Sequence, residues 1–200
     1  MSLKLANSTK NRYLGTWRRL FSLAIEEGWL RDNPANKVTM LKVSDLRDRV
    51  CSEEEEGRLF EACEKEPLKT RAPHLKSVLI MAIQTGMRLS EILSMRWEHV
   101  DFEHDRIYLP KTKSGKPQNV PMGRTVANLL QVLRRHHEGE FVFVNPQTGK
   151  PITQIQNSFK KACQEAKKEG EAVGIEGLRF HDLRATCATR MLQKSVYHGG

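Results

Sequence analysis

The sequence predicts a mainly α-helical protein carrying a small antiparallel β-sheet. Apolar residues recur at helical spacing through most of the chain. Strands are few and short: 106–110 and 119–121 flank a turn of Lys113, Ser114, Gly115 and Lys116, and a third follows later in the chain. A chain of 200 residues with 38% hydrophobic and 28% charged residues is long enough to bury a core without disulfide staples.

From Ser8 to about Glu27, Tyr13, Leu14, Trp17, Leu20, Phe21, Ala24 and Ile25 form one apolar stripe, with Trp17 and the later Trp29 expected in a core. Gly28 and the Asp32-Asn33-Pro34 run stop that helix. One helix cannot bury its own stripe, so this one requires a packing partner. Residues 37–50 are charged and aperiodic and read as a linker. Ser52 then opens a helix to about Cys63. Glu55 three residues later completes a capping box, and the glutamates 53–56 suit the positive end of the helix dipole, a structural use and not a metal cluster.

Pro73 begins a helix that buries Leu75, Val78, Leu79, Ala82 and Ile83 and ends at Gly86. Residues 86–93 follow as a tight turn into a further helix. Arg88 therefore sits at a helix N-terminus, where its guanidinium and backbone N–H groups can meet one anion and Glu91 can hold the guanidinium. Trp97, Val100 and Phe102 are expected in the core. Helices follow over 126–133 and from a Thr153 cap to about Lys168, with Ile155, Phe159, Ala162 and Cys163 inward and Lys160, Lys161, Lys167 and Lys168 outward. Residues 140–144 read as a third strand, 145–151 as a turn and the glycine-rich 169–177 as a mobile loop.

Several function classes are excluded or disfavoured. No apolar run approaches the roughly 18 residues of a membrane helix, and no secretory signal opens the chain. Cys51, Cys63, Cys163 and Cys187 form no C-x-x-C, which argues for reduced thiols in a cytoplasm and against a zinc site. The pair His136-His137 reads as helix surface. A net charge of +9 and a pI near 9.5 favour a polyanionic partner, nucleic acid before membrane.

The stretch with most chemical content is Phe180-His181-Asp182-Leu183-Arg184, which opens a run with Leu183, Cys187, Met191 and Leu192 at helical spacing. Three-residue spacing puts His181 and Arg184 on one face of a first helical turn. An imidazole that titrates near neutrality beside an always-charged guanidinium suits chemistry on a phosphate. Lys111, Lys113 and Lys116 at the hairpin tip can reach across a DNA groove or form a solvated turn.

Three separated motifs, Thr85-Gly86-Met87-Arg88-Leu89-Ser90-Glu91, the lysine hairpin ending in Val120-Pro121, and His181-Asp182-Leu183-Arg184, closely resemble the tyrosine recombinase (phage integrase) family in order and interval. Residues 11–34 resemble the last helix of that family's core-binding domain. The resemblance implies a catalytic-domain-like fold over 46–200, preceded by a remnant of the helical domain and a linker over 1–45. It implies site-specific DNA cleavage and rejoining by a tyrosine, with Arg88 and Arg184 as the two catalytic arginines and His181 as the histidine of H-x-x-R. Lys113 best fits the catalytic lysine, Lys111 and Lys116 being the alternatives. The implied partners are double-stranded DNA and other recombinase protomers on it, with no metal, nucleotide cofactor or membrane.

The chain departs from that pattern at the nucleophile. In the family a second histidine or tryptophan and then the tyrosine follow H-x-x-R at a longer interval. Here Tyr197 comes 13 positions after Arg184, directly before His198. Tyr13 and Tyr108 read as a helix-core and a strand residue. The expectation is a recombinase truncated at both ends, monomeric in solution, that binds DNA and does not cleave it unaided.

Overall fold

In the computed structural model the described residues are 5–43, 49–110, 115–136, 139–167 and 173–197, the last four by backbone alone. They are mainly helical with one three-stranded antiparallel sheet, and divide into two units, Met1–Arg47 and Asp48–Gly200.

In the first unit, helix α1 (Asn7–Glu26) ends at Gly28, which turns the chain with φ +76°. A 3-10 turn, Pro34–Lys37, is capped by the Asn33 side chain. The segment after it lies along α1 and is tied there by polar side chains. Arg18 donates to the carbonyl of Val38 at 2.8 Å, and Asn11 exchanges two 2.8 Å hydrogen bonds with the backbone of Leu41. The linker expected from residue 37 therefore begins as part of this unit; 44–48 lie outside the described residues. Tyr13, Trp17 and Trp29, expected in a core, are exposed, and α1 has no buried residue. The stripe is covered only in part: Leu14, Phe21, Ala24 and Ile25 are half-buried within this unit, while Tyr13, Trp17 and Leu20 are exposed.

The second unit is built around α4 (Leu75–Thr85), whose Leu75, Val78, Leu79, Met81, Ala82 and Ile83 are all buried. It packs against α2 (Glu53–Glu64), α5 (Leu89–Leu93), α6 (Arg124–His136) and α8 (Asp182–Tyr197). Pro73 stands two residues before α4, and a short helix the sequence did not suggest, α3 (Leu68–Arg71), precedes it. The capping box at the start of α2 is present: Ser52 Oγ accepts from the Glu55 N–H at 3.1 Å, and the Glu55 carboxylate accepts from the Ser52 N–H at 3.0 Å. Arg49 holds the same carboxylate at 2.5 and 2.8 Å, and Glu56 pairs with Arg190 at 2.5 Å.

The sheet has the order β1 (Val100–Asp101), β2 (Arg106–Leu109), β3 (Gln118–Pro121), with Ile107 opposite both Val100 and Val120. Ile107 and Leu109 point into the core while Arg106 and Tyr108 point out, the alternation a one-sided sheet requires. Residues 140–144, expected as the third strand, form only isolated bridges, Arg96 with Phe141 and Val144 with Pro151. Val142, Phe143 and Val144 are buried all the same, because a short apolar run announces burial without announcing strand pairing. Phe102, expected in the core, is exposed in the turn between β1 and β2.

Helix α7 (Gln156–Glu165) buries Ile155 at its start and Phe159, Ala162 and Cys163 along it. It has no side-chain cap, so Thr153 does not begin it, and it stops short of Lys168, which lies outside the described residues. The described part of the expected mobile loop is anchored: Ile175 N–H donates to the Cys163 carbonyl at 2.8 Å, and Ile175 is buried. On α8, Leu183 and Cys187 are buried, but Met191 and Leu192, expected on the same inner face, are exposed. All four cysteines are free and buried. Burial pushes the Cys51 and Cys63 thiols up to about 11 and Cys163 to about 12.

Candidate functional site

The first half of the site is the turn that ends α4. Gly86 takes the left-handed conformation, φ +64°, and its N–H closes the helix on the Ala82 carbonyl at 3.0 Å. The Thr85 hydroxyl donates to Met81 O and accepts from the Met87 N–H at 3.2 Å, which braces the corner. Met87 is buried, so the next residue, Arg88, is delivered to the surface edge as the cap of α5. There Glu91 grips it twice: one carboxylate oxygen accepts from the Arg88 backbone N–H at 2.9 Å, the other from its guanidinium at 2.8 Å. The Glu91 carboxylate thus takes the N-terminal N–H that was expected to face an anion. What remains for an anion is the guanidinium, which has five N–H donors and commits one nitrogen to Glu91.

The second half comes from α8. Residues 179–184 wind into that helix through a tight turn, Asp182 N–H to Arg179 O, Leu183 N–H to Phe180 O and Arg184 N–H to His181 O. His181 is exposed and stands one residue before the helix, and Arg184 is half-buried in its first turn. Arg184 reaches across to α4 and donates from Nη1 to the carbonyl oxygen of Gly86, two residues before Arg88. Cys187, one turn on, packs on the same glycine: a Cβ on Gly86 would stand 3.3 Å from its Sγ.

Arg184 and Glu91 line a common open cleft of about 280 Å3. Its other walls are the α4 corner, Leu109 from β2, Gln118, Val120 and Pro121 from β3, and Ala188 and Met191 from α8. The β2–β3 hairpin thus rises beside the two arginine-bearing elements. Of the hairpin lysines, Lys116 is exposed, while Lys111 and Lys113 lie outside the described residues. The structure brings Arg184 to the Arg88 corner and sets His181 three residues before Arg184.

Three residues that hold this corner together are not among the candidates the sequence offers for the site. Cys187 seats the Gly86 turn. Asp182 is buried and accepts from the Arg179 N–H at 2.8 Å, and Thr186 is fully buried and bonded to Cys51 N–H at 2.9 Å. Asp182 follows Arg179 by three, the interval of a capping box, which is the one local signal available. The partner of Thr186 lies 135 residues away in sequence.

The cleft thus carries one guanidinium, Arg184, and one carboxylate, Glu91, among mostly apolar walls, with Arg88 tied to Glu91 at its corner. Residues 49–197 match the family model described as "Phage integrase family". The chain is 33% identical to a shufflon-specific DNA recombinase of Escherichia coli over 94% of its own length and 45% of the relative's. It is 29% identical to the integrase of Salmonella phage P22 over 96% of its length and 49% of that relative's. The chain thus spans about half the length of these curated relatives. Among solved structures it resembles the Tn1549 transposon integrase in complex with a circular intermediate DNA (TM-score 0.76, 20% identity, 96% of this chain and 68% of that one). It likewise resembles a lambda integrase dimer bound to a COC′ core site (TM-score 0.75, 20% identity, 95% and 68%). At that identity the likeness concerns the fold, a mainly α catalytic-domain architecture with a small antiparallel sheet, and the family follows from the sequence match: this chain belongs to the phage integrase family.

Proposed function

We propose that this chain binds duplex DNA across its cleft face and holds one backbone phosphate between Arg88 and Arg184, as the phosphate-binding part of a tyrosine-type site-specific recombinase. The observation that carries the reading is the contact of Arg184 with Gly86, two residues from Arg88, beside the cleft that Glu91 and the hairpin share. Guanidinium forks suit the non-bridging oxygens of a phosphorane, and losing one such fixed donor typically costs about 2.7–4 kcal/mol of transition-state stabilisation. The net charge of +9 supplies the long-range attraction. Relatives named as a recombinase and an integrase, and structural neighbours solved on DNA, support the same reading.

In the reaction of such an enzyme, a tyrosine oxygen bonds to phosphorus as the bond to the 5′-oxygen breaks. The tyrosine proton passes to His181 and a proton from Lys113 goes to the leaving oxygen, with Lys111 and Lys116 as alternative donors. Neither step draws on a metal. The reverse attack by a 5′-hydroxyl rejoins the strands.

In our reading none of this chain's three tyrosines is the attacking group. Tyr13 belongs to the other unit. Tyr108 faces away from the cleft, beside Arg96, His99 and Pro110. Tyr197 is 13 residues beyond Arg184 on one continuous helix, which separates their backbones by about 20 Å along its axis. In this reading the chain does not cut; it is a monomer in solution that meets other protomers only on DNA.

The test is a binding titration paired with a trapping assay. Affinity for duplex DNA should fall with salt and weaken in both Arg88→Ala and Arg184→Ala. Incubation with DNA carrying a trapping nick should leave no covalent adduct on a denaturing gel. An adduct that disappears in Tyr197→Phe would overturn the non-cleaving half of the proposal, and salt-independent binding unaffected by either arginine would overturn the rest.

A further inference from the structure

The site is also held from behind, on the side of α8 away from the cleft. Thr186 is fully buried there. Its hydroxyl accepts from the Cys51 N–H at 2.9 Å and donates to the Asp182 carbonyl at 2.9 Å. Asp182, itself buried, accepts through its carboxylate from the Arg179 N–H. One hydroxyl therefore ties the segment that opens the second unit to the first turn of α8, which carries Arg184 and directly follows His181.

Thr186 lies two positions past Arg184, about 200° further round the helix. Thus α8 is gripped on one side by Gly86 through Arg184 and Cys187, and on the other by Cys51 through Thr186. Four residues on, Arg190 pairs with Glu56 at 2.5 Å and reaches the Cys51 carbonyl at 3.4 Å, which fixes the helix lengthwise as well. Threonine is a poor choice for a buried helical position unless its hydroxyl is used, because an apolar residue would fill the space without the bond back to the preceding turn. Removing the hydroxyl leaves the Cys51 N–H buried without its acceptor, and the cheapest relief is a shift of the entry segment away from α8.

We propose that Thr186 is a positioning residue for Arg184: through the Cys51 N–H and the Asp182 carbonyl it sets the rotation and height of α8, and hence where the guanidinium meets a DNA phosphate. This rests on the reading of Arg184 as a phosphate-holding residue. Thr186→Val keeps the shape and deletes the hydroxyl, while Thr186→Ser keeps the hydroxyl and deletes a methyl.

With duplex DNA of mixed sequence as the probe, well below the unfolding temperature of every variant, Thr186→Val should bind about tenfold more weakly, the order seen when an outer-shell partner of a functional group is removed. Its salt dependence should lose about one phosphate contact. Thr186→Ser should bind like the parent. In an Arg184→Ala background the valine change should have no further effect, since the group it positions is gone. Parent-like binding by Thr186→Val, or an undiminished loss in the Arg184→Ala background, would sink the inference while leaving the phosphate clamp intact. Parent-like binding by Arg184→Ala would instead remove the clamp reading and this inference together. Should Thr186→Val not fold, amide exchange of the parent decides: DNA should slow exchange at Cys51 in the parent and not in Arg184→Ala, and no slowing in the parent overturns the proposal.

Discussion

The guanidinium of Arg184 donates to the carbonyl oxygen of Gly86, 98 residues earlier in the chain. The contact is available because Gly86 ends α4 in a left-handed turn, which swings its carbonyl out of the helical ladder toward α8. A structural stop signal and the side chain proposed to hold a phosphate thus meet at one peptide group, and any change in the turn is felt by the arginine.

That sharing makes Gly86→Ala a two-part test. A left-handed alanine costs about 1–2 kcal/mol, and its Cβ would press on the Cys187 thiol at 3.3 Å. Denaturant unfolding should show a loss of at least that size. DNA affinity measured where the variant is still folded should fall as well, because the seat of Arg184 has moved. A stability loss with unchanged affinity would show that the carbonyl does not hold the guanidinium in the binding state.

Acid should loosen the start of the second unit. Hydrogen bonds from the Arg49 guanidinium, helped by the Ser52 N–H and opposed by burial, hold the Glu55 carboxyl below its ordinary value of 4.5. The folded value lies below the unfolded one, so this contribution to stability is complete above pH 4.5 and is lost as pH falls from there through the folded value. Glu55→Gln should therefore be less stable than the parent at neutral pH, with the gap closing as the pH is lowered through that window. A gap that stays constant with pH would mean that the Arg49 pair contributes nothing through its charge.

Much of the fold and the arginine corner could be read from local pattern, and the exceptions have physical reasons. The capping box at Ser52 and Glu55, the stop at Gly86 and the alternation in β2 are consequences of residues within a few positions of each other, so they were legible. The run 140–144 has the pattern of a strand and forms only isolated bridges, because buried apolar residues look alike whether or not they pair. Met191 and Leu192 carry helical spacing and are nonetheless 51% and 68% exposed, since spacing tells which residues share a face and not what lies opposite. Thr186 was illegible for the reverse reason: its partner is a backbone N–H whose position depends on the whole unit being folded.

The three tryptophans separate these cases in solution. Trp97 is 9% exposed and lies under the Arg134 guanidinium, 5.0 Å from ring to charge, whereas Trp17 and Trp29 are 52% and 79% exposed. Acrylamide should quench two of the three emissions readily and leave a blue-shifted, protected component. Replacing Trp97 by phenylalanine should remove that component alone. If all three prove protected, the α1 stripe is covered in solution, by another copy of the chain or by the second unit, and a concentration series would tell these apart.

Two glycine-to-alanine changes should act with opposite sign. Gly57 lies exposed inside α2 with nothing within 4 Å of a new Cβ, so Gly57→Ala should stabilise by up to about 1 kcal/mol, the helix-propensity difference. At Gly174 a Cβ would fall 2.1 Å from the Cys163 carbonyl oxygen and 2.6 Å from that of Gln164, both backbone atoms that cannot swing aside. Gly174→Ala must therefore lift residues 173–175 off α7 and break the Ile175 N–H bond to Cys163, at a cost of about 3 kcal/mol. Those residues lead into Leu178 and Phe180, and Phe180 packs edge-on against Phe159 at 5.7 Å just before His181. The loss should consequently reach function: folded Gly174→Ala should bind DNA more weakly than the parent, while Gly57→Ala binds equally well. Equal stability of the two variants in a denaturant titration would mean that 173–175 do not rest on α7 at all.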